Sequence, residues 1–265
     1  MEQGNAGPLP VIAPDGRTPW QVYARPFDRT DRRPRIAILI VGLGLSGAAS
    51  EAAINDLPGA VTLVFNPFTP QLDEWIGRAR AAGHEVLLSL PMEPADYPRV
   101  DPGPKTLLTS LDKQQNLERE RWVLTRVTGY VGVVSLNGSR FTTSKADLLP
   151  ILDEIKSRGL MFVDSRTTDQ SVAASLAKSI GLPHAVSDLV LDRQAARDAI
   201  DQRLQQLETL ARQNGVAVGI TSDVYPVTME RIALWFQGLA QKGIVLAPVS
   251  ATADMQPDRT AAARP

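Results

Sequence analysis

Residues 35–46 read RIAILIVGLGLS, an unbroken apolar run that ends in a glycine-rich turn. Seven similar runs follow along the chain. They are continuously apolar rather than alternating, which is typical of parallel strands buried on both faces. We therefore predict strands at 35–41, 61–65, 85–90, 131–136, 161–163, 185–191, 217–221 and 244–248.

Amphipathic stretches separate these runs and have the ends expected of helices. Ser144 is suited to cap a helix that Gly159 ends, and the run 194–214 carries an apolar stripe at helical spacing. A further helix is predicted from Thr228 to Gly243. Each helix is followed within a few residues by a strand, the rhythm of repeated β/α units. About eight strands in this order can close as a barrel or spread as a doubly wound sheet.

Composition excludes several classes of function. The chain has 265 residues and a net charge of −1, which argues against binding to nucleic acid or to an anionic membrane through uniform charge. It has no cysteine, which excludes disulfides, thiolate zinc sites and cysteine nucleophiles. Its two histidines exclude a site of three imidazoles. Ile36–Val41, the longest apolar stretch, is far shorter than the ~20 residues of a transmembrane helix.

Three regions are predicted along the chain. Residues 1–34 are rich in Pro, Gly and Arg and show no sustained period, which indicates a flexible N-terminal arm or linker. Such an opening suits a stalk behind a removed anchor, and it equally suits a native flexible N-terminus. Residues 35–251 form one domain, and residues 252–265 form a flexible C-terminal tail. Within the domain, the excursion from Pro91 to Tyr130 contains PMEPADYPRVDPGPKTLL (91–108), whose five prolines exclude regular structure for much of its length. Such a loop after a strand is where a binding site is expected.

Gly42, Gly44 and Gly47 form a G-x-G-x-x-G pattern directly after the first strand. A dinucleotide-binding fold requires that placement, but it also requires an acidic residue at the end of the second strand. The second strand ends in Asn66 and Pro67 instead. The pattern is therefore interpreted as a tight turn between a strand and a helix.

Several segments together resemble the divergent polysaccharide deacetylase family, a remote branch of the metal-dependent carbohydrate esterases. The combination of GHE, PMEP, GYVG and DS at these spacings carries the resemblance. The resemblance implies a single domain with a distorted (β/α) barrel and a carbohydrate groove at the carboxyl ends of its strands. The matching stretches are RIAILIVGLGLS (35–46), INDLPGAVTLVFNPF (54–68), ARAAGHEVLLSLPMEP (79–94), DPGPKTLL (101–108), GYVGVVSLNGSRFT (129–142), RGLMFVDSRTTDQS (158–171) and GIVLAPVSA (243–251).

The chemistry that the resemblance implies needs residues that this chain lacks. Such deacetylases remove an acetyl group with water activated on a divalent metal, usually zinc, held by an Asp and two His, while a further Asp acts as base. In many relatives the first strand ends in Ile-Asp-Asp-Leu-Gly, but here it reads IVGLG (40–44). Val41 and Gly42 thus stand where two carboxylates are expected. Relatives also often carry a histidine near the segment GITSDVYP (219–226), which has none here.

The two histidines do not replace the missing ligands. His84 and His184 directly precede predicted strands, which places both near the amino-terminal face of a barrel, whereas chemistry occurs at the carboxyl face. Six residues at ~3.3 Å each separate His84 from the functional rim by about 20 Å. We therefore predict structural roles for both.

Polar residues remain where the strands end. Asp164 ends an apolar strand inside a matched motif, where a carboxylate is costly unless paired, and is the candidate catalytic residue. Any metal site would use Asp164, Asp192 and Glu93, although Glu93 is also placed to pair with Arg140. The candidates for hydrogen bonding to a glycan are Ser89, Glu93, Asn137, Arg140, Ser165 and Asp192.

Two functional hypotheses follow. The first is a catalytically degenerate deacetylase that binds a polysaccharide or a cell-wall enzyme. The second is an active deacetylase that uses zinc or another divalent metal in a non-standard site. The resemblance implies a polysaccharide of the peptidoglycan type, a periplasmic location in the cell envelope, and no nucleic acid partner. Loss of the Asp pair favours the degenerate form.

Overall fold

The computed structural model describes residues 2–4 and 7–257. Within them lie eleven strands: β1 Glu2–Gly4, β2 Gly7–Leu9, β3 Arg35–Leu43, β4 Thr62–Phe65, β5 Val86–Met92, β6 Gly132–Asn137, β7 Met161–Asp164, β8 His184–Val186, β9 Leu189–Val190, β10 Val216–Ile220 and β11 Val245–Leu246. The α-helices are α1 Pro19–Val22, α2 Gly47–Asp56, α3 Leu72–Ala81, α4 Lys113–Leu124, α5 Lys145–Ser157, α6 Ala173–Ile180, α7 Arg197–Asn214 and α8 Pro226–Phe236.

The strands from β3 onward form one parallel sheet in the order β8-β7-β6-β5-β4-β3-β10-β9, with β11 beside the first residues of β3. Helices join the strands that pair in parallel and follow each other along the chain, as parallel pairing requires. The sheet curls around an apolar interior. The predicted distorted (β/α) barrel is therefore confirmed, and the doubly wound alternative is excluded.

The strand predicted at 185–191 is in fact two short strands. β8 pairs with β7, whereas β9 pairs with β10, on the opposite edge of the sheet. The change of partner occurs at two consecutive backbone groups: Ser187 N–H donates to Asp164 O, and Asp188 N–H donates to Val218 O, both at 2.8 Å. This bent segment joins the two edges of the curled sheet. The polar pair Ser187 and Asp188 interrupts the apolar residues at the point where the partner changes.

The helix ends differ slightly from the predictions. The helix expected at 194–214 begins at Arg197, and the one expected from Thr228 spans Pro226–Phe236 and is followed by a short 3-10 helix. Ser144 is the residue before α5, but its hydroxyl bonds the Asp147 carboxylate rather than a backbone N–H. None of these shifts moves a candidate site residue.

Alternate side chains of the strands fill two separate apolar layers. One layer lies inside the curled sheet and includes Leu39, Val64, Leu87, Val134 and Val163. The other lies between the sheet and its surrounding helices and is the larger. Both faces of the sheet are shielded from water, which explains why the strand sequences are predominantly apolar rather than alternating.

The segment before β3, predicted as an arm, packs against the amino-terminal end of the barrel. Trp20 and Tyr23 contact the interior layer, and the backbone N–H of Arg25 donates to the buried carboxylate of Glu85 at 3.2 Å. Prolines and glycines gave this segment no period, yet its few aromatic residues provide enough apolar surface to dock. The boundary at residue 35 stays a prediction.

The C-terminal segment closes the same end. Val249–Thr252 form a 3-10 helix whose Val249 side chain enters the interior layer. The first residues of the predicted tail also make contacts: Gln256 bonds both backbone groups of Val186. Residues 258–265 lie outside the described residues. The barrel is thus closed at its amino-terminal end and leaves the carboxyl end for a site.

Among the described residues, no helix combines the length and the apolar character needed to cross a lipid bilayer.

Candidate functional site

The end of β3 carries no carboxylate and is covered by the segment after β10. The backbone N–H of Val41 donates to Thr221 Oγ1 at 3.0 Å. A Cβ atom added to Gly42 would lie 3.0 Å from Asp223 Oδ1. The absence of a side chain at Gly42 therefore gives the Asp223 carboxylate room at the mouth of the barrel.

The glycine pattern after β3 has a packing reason. A Cβ atom at Gly44 would lie 2.1 Å from Thr69 Oγ1, closer than two such atoms can approach. The Gly44 backbone N–H donates to Ser50 Oγ at 2.8 Å, which ties the turn to α2. This geometry accords with the interpretation of the pattern as a tight turn.

Glu93 follows β5 and is held by the proline-rich loop. It is buried, and its Oε2 accepts hydrogen bonds from the backbone N–H of Thr109 at 2.6 Å and from the Thr109 hydroxyl at 2.8 Å. Its Oε1 lies 3.4 Å from Arg140 Nη1. The expected pairing of Glu93 with Arg140 is present. Arg140 keeps 56% of its side chain exposed, so its guanidinium still faces solvent.

Asp164, the candidate catalytic residue, is buried and accepts hydrogen bonds from the loop that follows it. Its Oδ1 accepts from the backbone N–H of Arg166 at 2.8 Å, and its Oδ2 accepts from the Ser171 hydroxyl at 2.7 Å. Burial raises the pKa of the Asp164 carboxyl, and these two hydrogen bonds oppose the rise only in part. In this conformation Asp164 shapes the loop that follows β7.

Asp192, like Asp164, is a buried carboxylate that accepts hydrogen bonds from the protein itself. It follows β9, is buried, and accepts from the backbone N–H of Ser222 at 2.6 Å and from the Thr228 hydroxyl at 3.2 Å. It thereby joins the end of β9 to the start of α8.

The remaining candidates differ in what they offer to a ligand. Ser165 is bonded to Ser135, with 3.0 Å between the two hydroxyl oxygens. Ser89 is fully buried, and its hydroxyl has no partner within the described part of the chain. Asn137 ends β6 with φ of +60°, a left-handed conformation that is uncommon outside glycine, and its side chain is partly exposed. Asn137 and Arg140 are therefore the predicted glycan-binding residues most open to solvent.

The predicted metal ligands do not form one site. Glu93, Asp164 and Asp192 are each bonded to separate loops. Across residues 2–4 and 7–257, no three His, Cys, Asp or Glu side chains converge in a way that could hold a metal ion. A zinc site needs at least three such ligands around one point. The residues present do not fit the metal that the resemblance implied.

The histidines occupy different surroundings. His84 is buried at the amino-terminal end of β5, with its ring nitrogens 2.9 Å from Val61 O and 3.0 Å from Ile54 O. His184 is the first residue of the three-residue strand β8. It pairs with Phe162, two residues before Asp164, so it lies close to the carboxyl end of β7. His184 Nδ1 is 2.8 Å from Asp254 Oδ1.

A cavity that sequence reasoning missed lies outside β7 and β8, against α6 and the segment 254–257. Its volume is about 930 Å³, and its lining includes Asp164, Arg166, Lys178 and His184. Arg166 stands inside the quoted motif RGLMFVDSRTTDQS, so the motif contained the signal. Its role was hidden because the cavity also needs the segment 254–257, which is far from Arg166 in the chain.

The fold and the polar rim define a (β/α) barrel of the polysaccharide deacetylase type. The catalytic domain of a peptidoglycan N-acetylglucosamine deacetylase from Eubacterium rectale shares this fold, with a TM-score of 0.51 and 11% identity over 86% of this chain and 93% of that chain. The chain belongs to the divergent polysaccharide deacetylase family, whose sequence model matches residues 38–253. The resemblance stated from its motifs is confirmed.

Other relatives are uncharacterised proteins. One from Agrobacterium tumefaciens C58 has a crystal structure that superposes with a TM-score of 0.89 at 38% identity, over 92% of this chain and 99% of that chain. The protein YibQ of Escherichia coli K12 is 26% identical over 187 residues, and a protein of Haemophilus influenzae is 24% identical over 186 residues. These matches cover 70% of this chain but only 57% and 65% of the two curated relatives.

Proposed function

We propose that this protein binds a polysaccharide of the peptidoglycan type at the carboxyl ends of its barrel strands and does not deacetylate it. One observation supports this most: the three carboxylates predicted as metal ligands, Glu93, Asp164 and Asp192, are each held by hydroxyl and backbone groups of the protein itself. Activation of a water molecule requires a carboxylate or metal that is open to it. Here Val41 and Gly42 end the strand where such carboxylates are expected.

Binding a glycan requires exposed hydrogen-bonding groups but no group that activates water. The rim presents the exposed guanidinium of Arg140 and the amide of Asn137, which suit hydrogen bonding to sugar hydroxyls and acetamides. Asp223 adds a carboxylate at the mouth of the barrel. Membership in a polysaccharide deacetylase family supports a polysaccharide as the ligand. The proposal extends to a location in the cell envelope, in the periplasm, where a cell-wall enzyme is the second candidate partner.

The deciding experiment compares acetate release with glycan binding. Untagged protein, alone or with added Zn²⁺, Co²⁺ or Mn²⁺, is incubated with N-acetylated glycan strands. We expect no acetate above background and saturable binding by calorimetry. Metal-dependent acetate release by the wild type would instead establish the active deacetylase, the competing hypothesis.

Asp164→Asn separates the two hypotheses. For a binding protein we expect a loss of about 1–3 kcal/mol in glycan affinity, the scale of one buried polar partner left unsatisfied. For an active deacetylase, removal of a general acid–base group typically lowers the rate by ~10²–10⁴-fold. Asp153→Asn, on the exposed face of α5, is the matched control and should change neither quantity.

A further inference from the structure

The cavity outside β7 and β8 is distinct from the mouth of the barrel. Its walls are the loop after β7, helix α6 and the segment 254–257. The last of these is fixed to β8 because Asp254 bonds the backbone of His184 and Gln256 bonds the backbone of Val186. A volume of about 930 Å³ lies within the range of ligand sites and accommodates more than one sugar ring.

Arg166 projects from the wall of this cavity on a constrained backbone. Its φ of +52° is left-handed, which is uncommon for a residue with a side chain. The conformation is held by Asp164, which accepts from the Arg166 backbone N–H and from Ser171. Asp164 is thus a positioning residue for Arg166.

His184 and Arg166 each form an ion pair in the cavity, and the two pairs differ in how exposed they are to water. His184 is paired with Asp254. Burial alone would lower the pKa of His184, but the Asp254 carboxylate raises it overall. The guanidinium of Arg166, with 27% of its side chain exposed, contacts Asp169 through Nη2 at 3.0 Å. Asp169 is 92% exposed, and ion pairs so open to water are weak and readily exchanged.

We propose that this cavity is a subsite for a carboxylate-bearing sugar unit, and that Arg166 binds the carboxylate. A planar guanidinium presents five donors in a fork that matches a carboxylate, and one exposed contact with Asp169 leaves that fork available for exchange. Lys178 and His184 lie in the same lining, together with the carboxylates of Asp164, Asp169 and Asp254. The affinity for a carboxylate therefore comes from the Arg166 fork rather than from the net charge of the cavity. The inference rests on the proposed function, since it names the kind of glycan that the protein prefers.

The test uses two glycans that differ in their carboxylates. One is chitotetraose, and the other is a peptide-free tetrasaccharide of alternating N-acetylglucosamine and N-acetylmuramic acid, whose lactyl groups carry carboxylates. By calorimetry we expect the wild type to bind the acidic glycan about ten- to a hundredfold more tightly, the range for hydrogen bonds to charged groups. This preference should shrink as salt is raised.

Arg166→Gly separates binding from folding. Glycine adopts a left-handed backbone freely, so the variant should keep or raise the melting temperature while it loses the preference for the acidic glycan. Arg166→Lys keeps the charge without the fork and should retain part of the preference. Arg29→Ala, an exposed arginine of the N-terminal segment, controls for total charge and should retain all of it.

The outcomes distinguish a failure of the proposed subsite from a failure of the proposed function. Equal affinity of the wild type for both glycans, or an intact preference in Arg166→Gly, would overturn the subsite and leave the proposed function standing. Failure of the wild type to bind either glycan would overturn both.

Discussion

Glu120 is the most unfavourably placed carboxyl among the described residues. It is fully buried on α4, and neither of its oxygens has a hydrogen-bond partner there. Burial raises the pKa of Glu120 well above its usual value near 4.5, and the nearby Glu154 carboxylate adds to the rise. The group is therefore compatible with the fold mainly in its neutral form.

The pH dependence of Glu120 has a definite sign. Because the pKa is higher in the folded than in the unfolded protein, its favourable contribution is complete below about pH 4.5 and is lost as pH rises toward the folded pKa. We expect Glu120→Met to stabilise the protein by about 1–3 kcal/mol near pH 8 and by less near pH 4.5. Thermal unfolding at both pH values measures this.

The control for that comparison is Glu118→Met on the exposed face of the same helix, which should show no such pH-dependent gain. A gain from Glu120→Met that is equal at both pH values would contradict the assignment to ionisation.

At the scale of elements, the side-chain amide of Asn116 fixes the shape of the loop between β5 and α4. Asn116, buried on α4, accepts from the Leu108 backbone N–H at 3.0 Å and donates to Leu108 O at 2.9 Å. One residue earlier, Leu107 pairs with Met92 at the end of β5. The prolines exclude regular structure from the loop, so side-chain bonds of this kind fix its shape.

We expect Asn116→Ala to destabilise the protein by about 2–4 kcal/mol, because it leaves two buried backbone groups without partners. Since the loop also holds Glu93, amide hydrogen exchange should quicken at 93–111 and glycan affinity should fall. Gln114→Ala, exposed on the same helix, should show neither effect. Unchanged exchange in the loop would contradict this role.

Across the whole molecule, the buried carboxylate of Glu85 joins the two chain ends beneath the barrel. It accepts from the Ser250 N–H at 2.9 Å, from the Ser250 hydroxyl at 2.5 Å and from the Arg25 N–H. Burial raises the pKa of Glu85, and these hydrogen bonds oppose the rise. The contact spans the chain from its first segment to its last.

Ser250→Ala should therefore lower stability by about 1–3 kcal/mol, and by more near pH 8 than near pH 5. The pH effect arises because loss of the donor raises the folded pKa further, and ionisation then costs more stability as pH rises. Ser157→Ala, exposed on α5, is the control. Glycan affinity should persist, since the site lies at the other end of the barrel; its loss would show that the two ends are coupled.

The sequence by itself determined the fold class and the family. The run at 35–41 and its successors are predominantly apolar because parallel strands in a barrel are buried on both faces, and this is a local property. The change at Val41 and Gly42 was equally visible, since a missing carboxylate needs no coordinates to be noticed. The motif DSRTT likewise placed Asp164 at the end of its strand.

Only the tertiary structure decided what these residues contact. Asp164 and Asp192 are both acids at strand ends, yet one holds the turn at Arg166 and the other joins β9 to α8. The bend at Ser187 and the cavity beneath Arg166 also arise from segments far apart in the chain. Hydrogen-bond partners and cavities depend on how the chain packs as a whole, whereas apolar periodicity depends on neighbouring residues alone. For that reason the class of protein could be predicted from the sequence, whereas the hydrogen-bond partners of the site residues could not.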